Sequence, residues 1–300
     1  IGYGTLVPSF TSVTSGYQYD DNFDSVFSAA LNYTVRDNSN QLVSDVANIA
    51  AGTYRMYPEG SIIEPSNYSI EYVNGLLTVN KTILTAKAVD TSRQYGIINP
   101  DFRITYNGFL NNDGPESIIA PTATTTAGIS SVPGTYPITL AGGSSNNYTI
   151  NLEAGILTVD KATLLAIADN KSKQYGDNNP VFSITYTGFL NGDEPSSITA
   201  PLANTTATST SVPGSYPITL TGGSSNKYKI INTAGALTVT SRPLIVKAVD
   251  KYIFKGDNLP GFTSTYTGFV NNDQSSITSG PKYNLSPSCS GAAGVYTIIP

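Results

Sequence analysis

The sequence of 300 residues contains no histidine and no tryptophan, and only one cysteine and one methionine. Without histidine, these residues cannot form a Ser-His-Asp triad, a Cys-His dyad or an HExxH zinc site. The single thiol, Cys289, can make neither an intramolecular disulfide nor a multi-thiolate zinc site. The absences exclude most common hydrolase and metalloenzyme classes, so the sequence predicts a non-catalytic protein without a bound cofactor.

Charged residues are also scarce, at 12% of the chain with a net charge of −5. They are scattered singly, and without a basic stripe to neutralise phosphates no nucleic acid partner is expected. No run approaches about 18 uninterrupted apolar residues, so no transmembrane segment is predicted in this stretch. The first residues lack a signal-peptide pattern, and we expect any targeting segment to lie outside the sequence.

What the sequence does contain is a repeat with a period of 80 residues. The segment Gln94–Gly96 returns as Gln174–Gly176, and Ile104–Tyr106 returns as Ile184–Tyr186. The repeats are predicted to span 1–80, 81–160, 161–240 and 241–300. The first lacks its first strand and carries a 12-residue insertion, which we place within 31–48, and the last is incomplete. Because the chain begins and ends inside a repeat, we expect it to be part of a longer array.

Each repeat shows the period-two alternation of β-strands, separated by turn-forming Pro-Gly, Gly-Gly-Ser-Ser-Asn and Asn-Asn-Asp segments. In the second repeat the predicted strands are Leu84–Val89, Phe102–Tyr106, Tyr136–Leu140, Tyr148–Leu152 and Ile156–Val159. At most one helical turn is expected, near 114–119 and again near 194–198. We therefore predict an all-β fold, with a small Ig-like sandwich in each repeat. A β-grasp arrangement is the alternative if that turn extends.

Successive repeats are joined by short connections without a Gly-Ser run, such as Asp160–Thr163. Such connections are semi-rigid, so the sequence predicts an extended rod in which the repeats contact their neighbours.

Several side chains are candidates for a site. Asp113 and Glu116, or Asp193 and Glu194, lie close in sequence and could serve as the acid and base of a glycosidase. The last repeat has Gln274 after Asp273, so the pair is lost there and a solvated turn is the preferred interpretation. Asp177 and Asp193 lie in Asn-rich loops and are weak candidates for calcium, which takes oxygen ligands. The first repeat is the most diverged, and its candidate ligand contacts are Tyr17, Tyr19, Asp20 and Asp21.

The recurring tyrosines also permit two interpretations. Tyr106, Tyr136 and their counterparts 80 residues later could form a ladder that stacks on sugars. Alternation points these rings to the same side as core residues, which favours packing.

The motifs that identify each repeat are, in the third, Gln174–Pro180, Thr185–Asp193, Pro213–Leu220 and Gly235–Val239. Together they resemble the MBG domain of the YGX type. The resemblance covers the second and third repeats and most of the fourth, where Phe254 and Lys255 replace Gln-Tyr. It implies tandem, non-catalytic modules of large bacterial surface proteins, many from Bacteroidota, including gliding-motility adhesins.

The sequence thus supports three hypotheses for function. The first is a structural stalk or filament segment of a secreted bacterial cell-surface adhesin. The second is a module that recognises a glycan or another cell through the first repeat. The third is a non-catalytic segment of a larger secreted enzyme. The expected partners are neighbouring repeats, with glycan or self-assembly as further options.

Overall fold

The computed structural model describes residues 1–64, 66–276, 279–286, 288 and 292–300. The lone thiol of Cys289 lies outside these residues. The chain forms two compact units, Ile1–Asp160 and Lys161–Pro300. Each unit contains two of the predicted repeats.

The first repeat is built around a single antiparallel sheet with the order β1-β2-β3. Its elements are α1 (Phe23–Val26), β1 (Asn32–Arg36), β2 (Gly52–Glu59) and β3 (Gly75–Val79). The loop between β1 and β2 runs over 37–51, whereas the equivalent loop of the second repeat runs over 126–133. Most of the inserted residues therefore lie in this loop.

The second repeat is a complete two-sheet sandwich. Its elements are β4 (Thr82–Ala88), β5 (Thr91–Gln94), β6 (Ile104–Asn107), the 3-10 turn η1 (Pro115–Ser117), β7 (Thr122–Thr125), β8 (Gly134–Ala141), β9 (Tyr148–Glu153) and β10 (Gly155–Asp160). One sheet has the order β6-β4-β9 and the other the order β5-β10-β8-β7. The pairs β4–β9 and β5–β10 are parallel, and the remaining pairs are antiparallel.

The third repeat has the same topology. Its elements are β11 (Ala162–Ala168), β12 (Lys171–Gln174), β13 (Ile184–Thr187), η2 (Pro195–Ser197), β14 (Leu202–Asn204), β15 (Gly214–Thr221), β16 (Tyr228–Thr233) and β17 (Gly235–Thr240). The sheets have the orders β13-β11-β16 and β12-β17-β15-β14.

The core of each sandwich lies between its two sheets. Alternate residues of β4, β8 and β10 point inward, and Leu84, Ile138 and Leu157 are completely buried. Each such side chain contributes roughly 2 kcal/mol through removal of its apolar surface from water. The sheets approach each other closely where β10 begins, since a Cβ built on Gly155 would lie 2.4 Å from the carbonyl oxygen of Ala88.

The described residues of the fourth repeat form four strands in two pairs. Its elements are β18 (Ile245–Ala248), β19 (Ser264–Thr267), η3 (Asp273–Ser276), β20 (Asn284–Ser286) and β21 (Thr297–Ile299). Leu244 is 43% exposed, whereas its counterparts Leu84 and Leu164 are completely buried. Among the described residues of the fourth repeat, none forms a counterpart of β9 or β10.

The prediction of an all-β chain of tandem sandwich domains is confirmed. The one-turn helices are also present, but η1 and η2 are three residues long. They do not extend into the helix that a β-grasp fold needs, so that alternative is wrong. The residues that the structure describes include no helix with the length and apolar character of a membrane span.

Candidate functional site at the joint between repeats

A tight turn ending in aspartate, here called the aspartate turn, recurs in every repeat. In the second repeat it spans Leu110–Asp113, and the amide of Asp113 donates to the carbonyl of Leu110 at 2.9 Å. The two central residues, Asn111 and Asn112, have φ of 53° and 61°. Positive φ at both positions is the requirement of a type I′ turn, which favours Asn and Gly. The third repeat satisfies it with Asn191 and Gly192.

A buried tyrosine holds each aspartate turn in place. Tyr148 is only 2% exposed. Its hydroxyl donates to Oδ2 of Asp113 at 2.7 Å and accepts from the amide of Leu110 at 2.9 Å. Tyr228 makes the same contacts with Asp193 and Leu190, again at 2.7 and 2.9 Å. A hydrogen bond to a carboxylate contributes about 1.5–3 kcal/mol. The recurring Asp is therefore a structural acceptor.

The preceding repeat docks onto this turn in the first unit of the chain. The hydroxyl of Tyr3 also donates to Oδ2 of Asp113, at 2.9 Å, and its ring lies edge-on to Tyr148 with centroids 5.4 Å apart. Gly4 follows with φ of +76°, and a Cβ there would lie 2.5 Å from Cδ1 of Leu110. Both the backbone conformation and the close approach require glycine at this position.

Further contacts connect the joint between the first and second repeats, here called the first joint, to the hydrophobic core. Thr82 donates its hydroxyl to the carbonyl of Tyr3 at 2.8 Å, and the amide of Ala51 donates to Oδ1 of Asn147 at 3.1 Å. One hydrophobic cluster contains buried residues of both repeats: Tyr3, Val35, Ile49, Tyr54, Leu77, Val79, Leu84 and Tyr148. The first two repeats therefore share a core, which stiffens their connection.

The joint between the third and fourth repeats is more polar. Gly176 again abuts an apolar residue, because a Cβ built on it would lie 2.5 Å from Cγ2 of Val270. Arg242 occupies the position of Thr82, and its NH1 donates to the carbonyl of Tyr175 at 3.3 Å and to Oδ1 of Asp177 at 2.7 Å. Ion pairs of this exposure contribute at most about 1 kcal/mol.

The candidate residues of the first repeat form its own aspartate turn, Gln18–Asp21. The amide of Asp21 donates to the carbonyl of Gln18 at 3.2 Å. The hydroxyl of Tyr68 donates to Oδ2 of Asp21 at 2.6 Å and accepts from the amide of Gln18 at 3.1 Å. Tyr68 thus corresponds to Tyr148, and the structure extends the repeat pattern to this turn, where Gly16 and Asp21 match Gly108 and Asp113 at an offset of 92 residues.

The correspondence between this turn and that of the second repeat shows that the four candidate ligand contacts lie in different environments. The ring of Tyr17 lies edge-on to Tyr68, as Phe109 does to Tyr148. The hydroxyl of Tyr17 is buried without a hydrogen-bond partner. Tyr17 and Asp21 are therefore part of the internal packing, whereas Tyr19 and Asp20 are exposed. Whether any of them contacts a ligand stays a prediction.

The two calcium candidates lie beside cations. Oδ1 of Asp177 is 2.7 Å from Arg242, and Oδ1 of Asp193 is 2.7 Å from Nζ of Lys227. Each carboxylate is thereby already compensated, and a calcium ion would have to displace its partner. In the part of the chain that the structure describes, no three acidic, His or Cys side chains cluster as metal ligands. Calcium binding at these residues stays a prediction.

A groove of about 520 Å³ runs beside β5 in the second repeat. Its buried charge, Arg93, donates to the side chain of Asn99 and to the carbonyl of Gly128, both at 2.6 Å. Lys173 makes the equivalent bond to the carbonyl of Thr208 at 2.6 Å in the third repeat. The cation at this position therefore has the same structural role in both repeats. It gives the groove no distinct chemistry.

Burial changes the ionisation of the tyrosines at the first joint. Desolvation, reinforced by the hydrogen bond to Asp113, raises the pKa of Tyr148 to about 12. Desolvation is also the main cause of the raised pKa of Tyr3. The neutral hydroxyl is the form that donates to the carboxylate, so the folded joint favours protonated tyrosine.

We therefore expect the first joint to lose stability at alkaline pH. Because the folded pKa of Tyr148 lies above its ordinary value of 10.0, its contribution is complete below pH 10 and is lost as the pH rises towards 12. Thermal unfolding measured at a series of pH values should show this decline. A Tyr148→Phe variant should be less stable at neutral pH and show a smaller alkaline decline. Parallel alkaline profiles for both proteins would contradict the assignment.

Sequence reasoning did not identify the joint. It interpreted Asp113 as a solvated turn residue, but the structure shows that Asp113 accepts hydrogen bonds from Tyr3 and Tyr148. The recurrence of Asp113 as Asp193 and Asp273, together with Tyr148 as Tyr228, was the available signal.

Comparison with known proteins gives a family for the chain. Its model, described as MBG domain (YGX type), matches residues 84–158, 164–238 and 244–300. No curated protein matches the sequence. Among solved structures, Drosophila N-cadherin EC1-3 is similar at 12% identity with a TM-score of 0.24, over 75% of this chain and 92% of that chain. The immunoglobulin domains 1–4 of Sidekick-1 are similar at 11% identity with a TM-score of 0.18, over 86% and 81%.

These TM-scores are too low to support an inference about the chain. The assignment of the chain to a family therefore depends on the match to the family model. That match begins at β4 and recurs with the 80-residue period of the sandwich repeats. The chain belongs to the MBG domain (YGX type) family and is built from tandem β-sandwich repeats.

Proposed function

We propose that this chain is a structural segment of the stalk, or of a filament, of a large bacterial cell-surface adhesin. The observation that carries the proposal is the first joint, in which Tyr3 and Gly4 of one repeat seat on the aspartate turn of the next. A shared core at a joint transmits orientation from repeat to repeat, which a stalk needs and independently tethered domains do not. The described polar clusters form structural contacts, and we assign the segment no catalytic step.

The family resemblance supports the proposed surface location and bacterial origin. Adhesins that contain such repeats, including gliding-motility adhesins of Bacteroidota, are secreted and displayed outside the cell. A segment of this kind needs no ligand of its own, because it sets the distance between the cell and an adhesive tip.

Small-angle X-ray scattering of the 300-residue chain tests the mechanical part of the proposal. We expect a distance distribution with a long tail, typical of an elongated particle. Antibodies raised against the chain should label intact bacteria of the producing strain without permeabilisation. A compact globule, or labelling that appears only after permeabilisation, would count against the stalk.

A second candidate function is ligand binding through the first repeat, which the exposed ring of Tyr19 favours. A glycan array probed with the native chain and with a Tyr19→Asn variant discriminates the two functions. A stalk without a ligand gives no signal with either protein, whereas a binding module gives a signal that the substitution removes. The third candidate, a non-catalytic segment of a secreted enzyme, has no specific support in the geometry.

A further inference from the structure

The outward face of one sheet in the third repeat carries an apolar patch that the second repeat lacks. In this sheet, β13-β11-β16, Leu165 of β11 pairs directly with Ile231 of β16. Both side chains are exposed, at 36% and 41%, and Ile167 lies two residues further along the same face. At these three positions the second repeat has polar residues, which are Thr85, Lys87 and Asn151.

The inward side chains of the same strands do not differ in this way. Five inward residues of β11 and β16 are identical to those 80 positions earlier, namely Leu164, Ala166, Ala168, Tyr228 and Ile230. The sandwich core therefore forms with either set of outward residues, and the fold does not require the apolar patch. Contiguous exposed apolar side chains are typical of a surface that contacts another molecule.

The face is also charged at its two ends, with opposite signs. Lys229 is exposed at one end. Asp169 continues β11 at the other end, where its amide donates to the carbonyl of Ser183 at 3.0 Å and its Oδ1 accepts from the hydroxyl of Thr185 at 2.7 Å. Side-chain hydrogen bonds from these two residues lower the pKa of Asp169, so the carboxylate is ionised at neutral pH, and Lys171 compensates part of its charge. The second repeat has uncharged residues at both ends, Thr149 and Val89.

The positions of these charges make the face complementary to itself. Lys229 pairs with Thr163 of β11, so it lies six residues, or about 20 Å, before Asp169 along the strands. The midpoint falls between Leu165 and Ile167, in the apolar patch. A second copy with its strands in the opposite direction places the lysine of each copy over the aspartate of the other, and patch over patch. Stacked sheets lie about 10 Å apart, which a lysine and an aspartate extended towards each other can bridge.

We infer that this face of the third repeat pairs with the same face of a second copy of the chain. The apolar residues form the centre of the contact, threonines of the three strands surround them, and the two lysine–aspartate pairs lie at the ends. Because the two surfaces are identical, the association is isologous and stops at a dimer. A face about 20 Å long and three strands wide buries less than about 1,200 Å² in total, so the pairing is weak. The inference goes beyond the stalk proposal and does not depend on it.

Sedimentation velocity of the 300-residue chain over a concentration series, up to about 1 mM, tests the inference. We expect a monomer–dimer equilibrium with a dissociation constant on the order of 0.1–1 mM. The triple variant Leu165→Thr, Ile167→Lys and Ile231→Asn should weaken association at least tenfold. It carries the residues that the same sandwich has in the second repeat, and its thermal unfolding shows that it is folded. Ile83→Thr is the matched control, because it removes an exposed isoleucine from the corresponding face of the second repeat and should leave association unchanged.

Charge reversal tests the antiparallel arrangement of the two copies. Lys229→Glu places carboxylates opposite each other at both ends and should weaken association about tenfold. Asp169→Lys, checked for folding in the same way, should also weaken it. An equimolar mixture of the two variants should associate again, because the mixed pair has opposite charges at both ends. The inference would be overturned by a chain that stays monomeric at about 1 mM, by association that the triple variant leaves intact, by oligomers that grow beyond the dimer, or by a mixture that stays monomeric.

Discussion

Replacing Gly155 by alanine should unfold the second repeat locally while the third repeat stays intact. The added Cβ would lie 2.4 Å from the carbonyl oxygen of Ala88, which belongs to the opposite sheet and cannot rotate away. The sheets must separate to admit it, at an expected cost of about 3 kcal/mol. Amide hydrogen exchange followed by mass spectrometry should show faster exchange in β4, β8 and β10.

Two equivalent glycines provide the controls. Gly235 stands in the same place in the third repeat, 2.3 Å from the carbonyl oxygen of Ala168, so Gly235→Ala should speed exchange in the third repeat only. Gly75 is the equivalent in the first repeat, where the nearest atom is the flexible Cε of Met56 at 2.9 Å. Gly75→Ala should be nearly neutral. Equal effects of all three substitutions would show that backbone freedom, and not the approach of the sheets, determines the glycine.

Replacing Asp113 by alanine should loosen the first joint and the second repeat together. It removes the acceptor of two buried hydroxyls, those of Tyr3 and Tyr148. Each hydroxyl that loses its partner costs about 1–3 kcal/mol, so a total loss of about 2–6 kcal/mol is expected. Hydrogen exchange in β3 and β4, and the midpoint of thermal unfolding, report on the change.

A series of variants separates the contributions of the two hydrogen bonds to the Asp113 carboxylate. Tyr3→Phe removes only the bond that crosses between repeats and should cost about 1 kcal/mol. Glu116→Ala changes an exposed carboxylate three residues away and should lie within about 0.5 kcal/mol of the native chain. If Asp113→Ala behaved like Glu116→Ala, the turn would indeed be the solvated loop that the sequence suggested.

The strands with alternating apolar residues were predictable from the sequence. The predicted Tyr148–Leu152 and Ile156–Val159 lie within the observed β9 and β10. These strands direct Leu157 and Val159 into the core. The alternation of apolar and polar residues in the sequence indicates this burial, because every second side chain of a strand points to the same face. The 80-residue repeat then extended each assignment to the third repeat.

The edge strands and the joint were not predictable in the same way. β5 and β7 have the sequences TSRQ and TATT, and they are held by backbone pairing with β10 and β8. Only the buried Arg93 of β5 points to the interior. The joint depends on a residue near the start of one repeat meeting an aspartate 110 positions later. Neither feature leaves an apolar pattern, because each is defined by hydrogen bonds between distant residues.

The parallel pairing of β5 with β10 has a mechanical consequence. The chain enters the second repeat through β4, which leads directly into β5, and it leaves through β10. Tension along the chain pulls these parallel neighbours from opposite ends, so their register, from Leu157 beside Thr91 to Asp160 beside Gln94, is loaded in shear. In shear the backbone hydrogen bonds share the force and must break together, whereas an antiparallel hairpin pulled from its open end unzips one bond at a time. The parallel pairs β5–β10 in the second repeat and β12–β17 in the third are thus placed to resist being drawn apart.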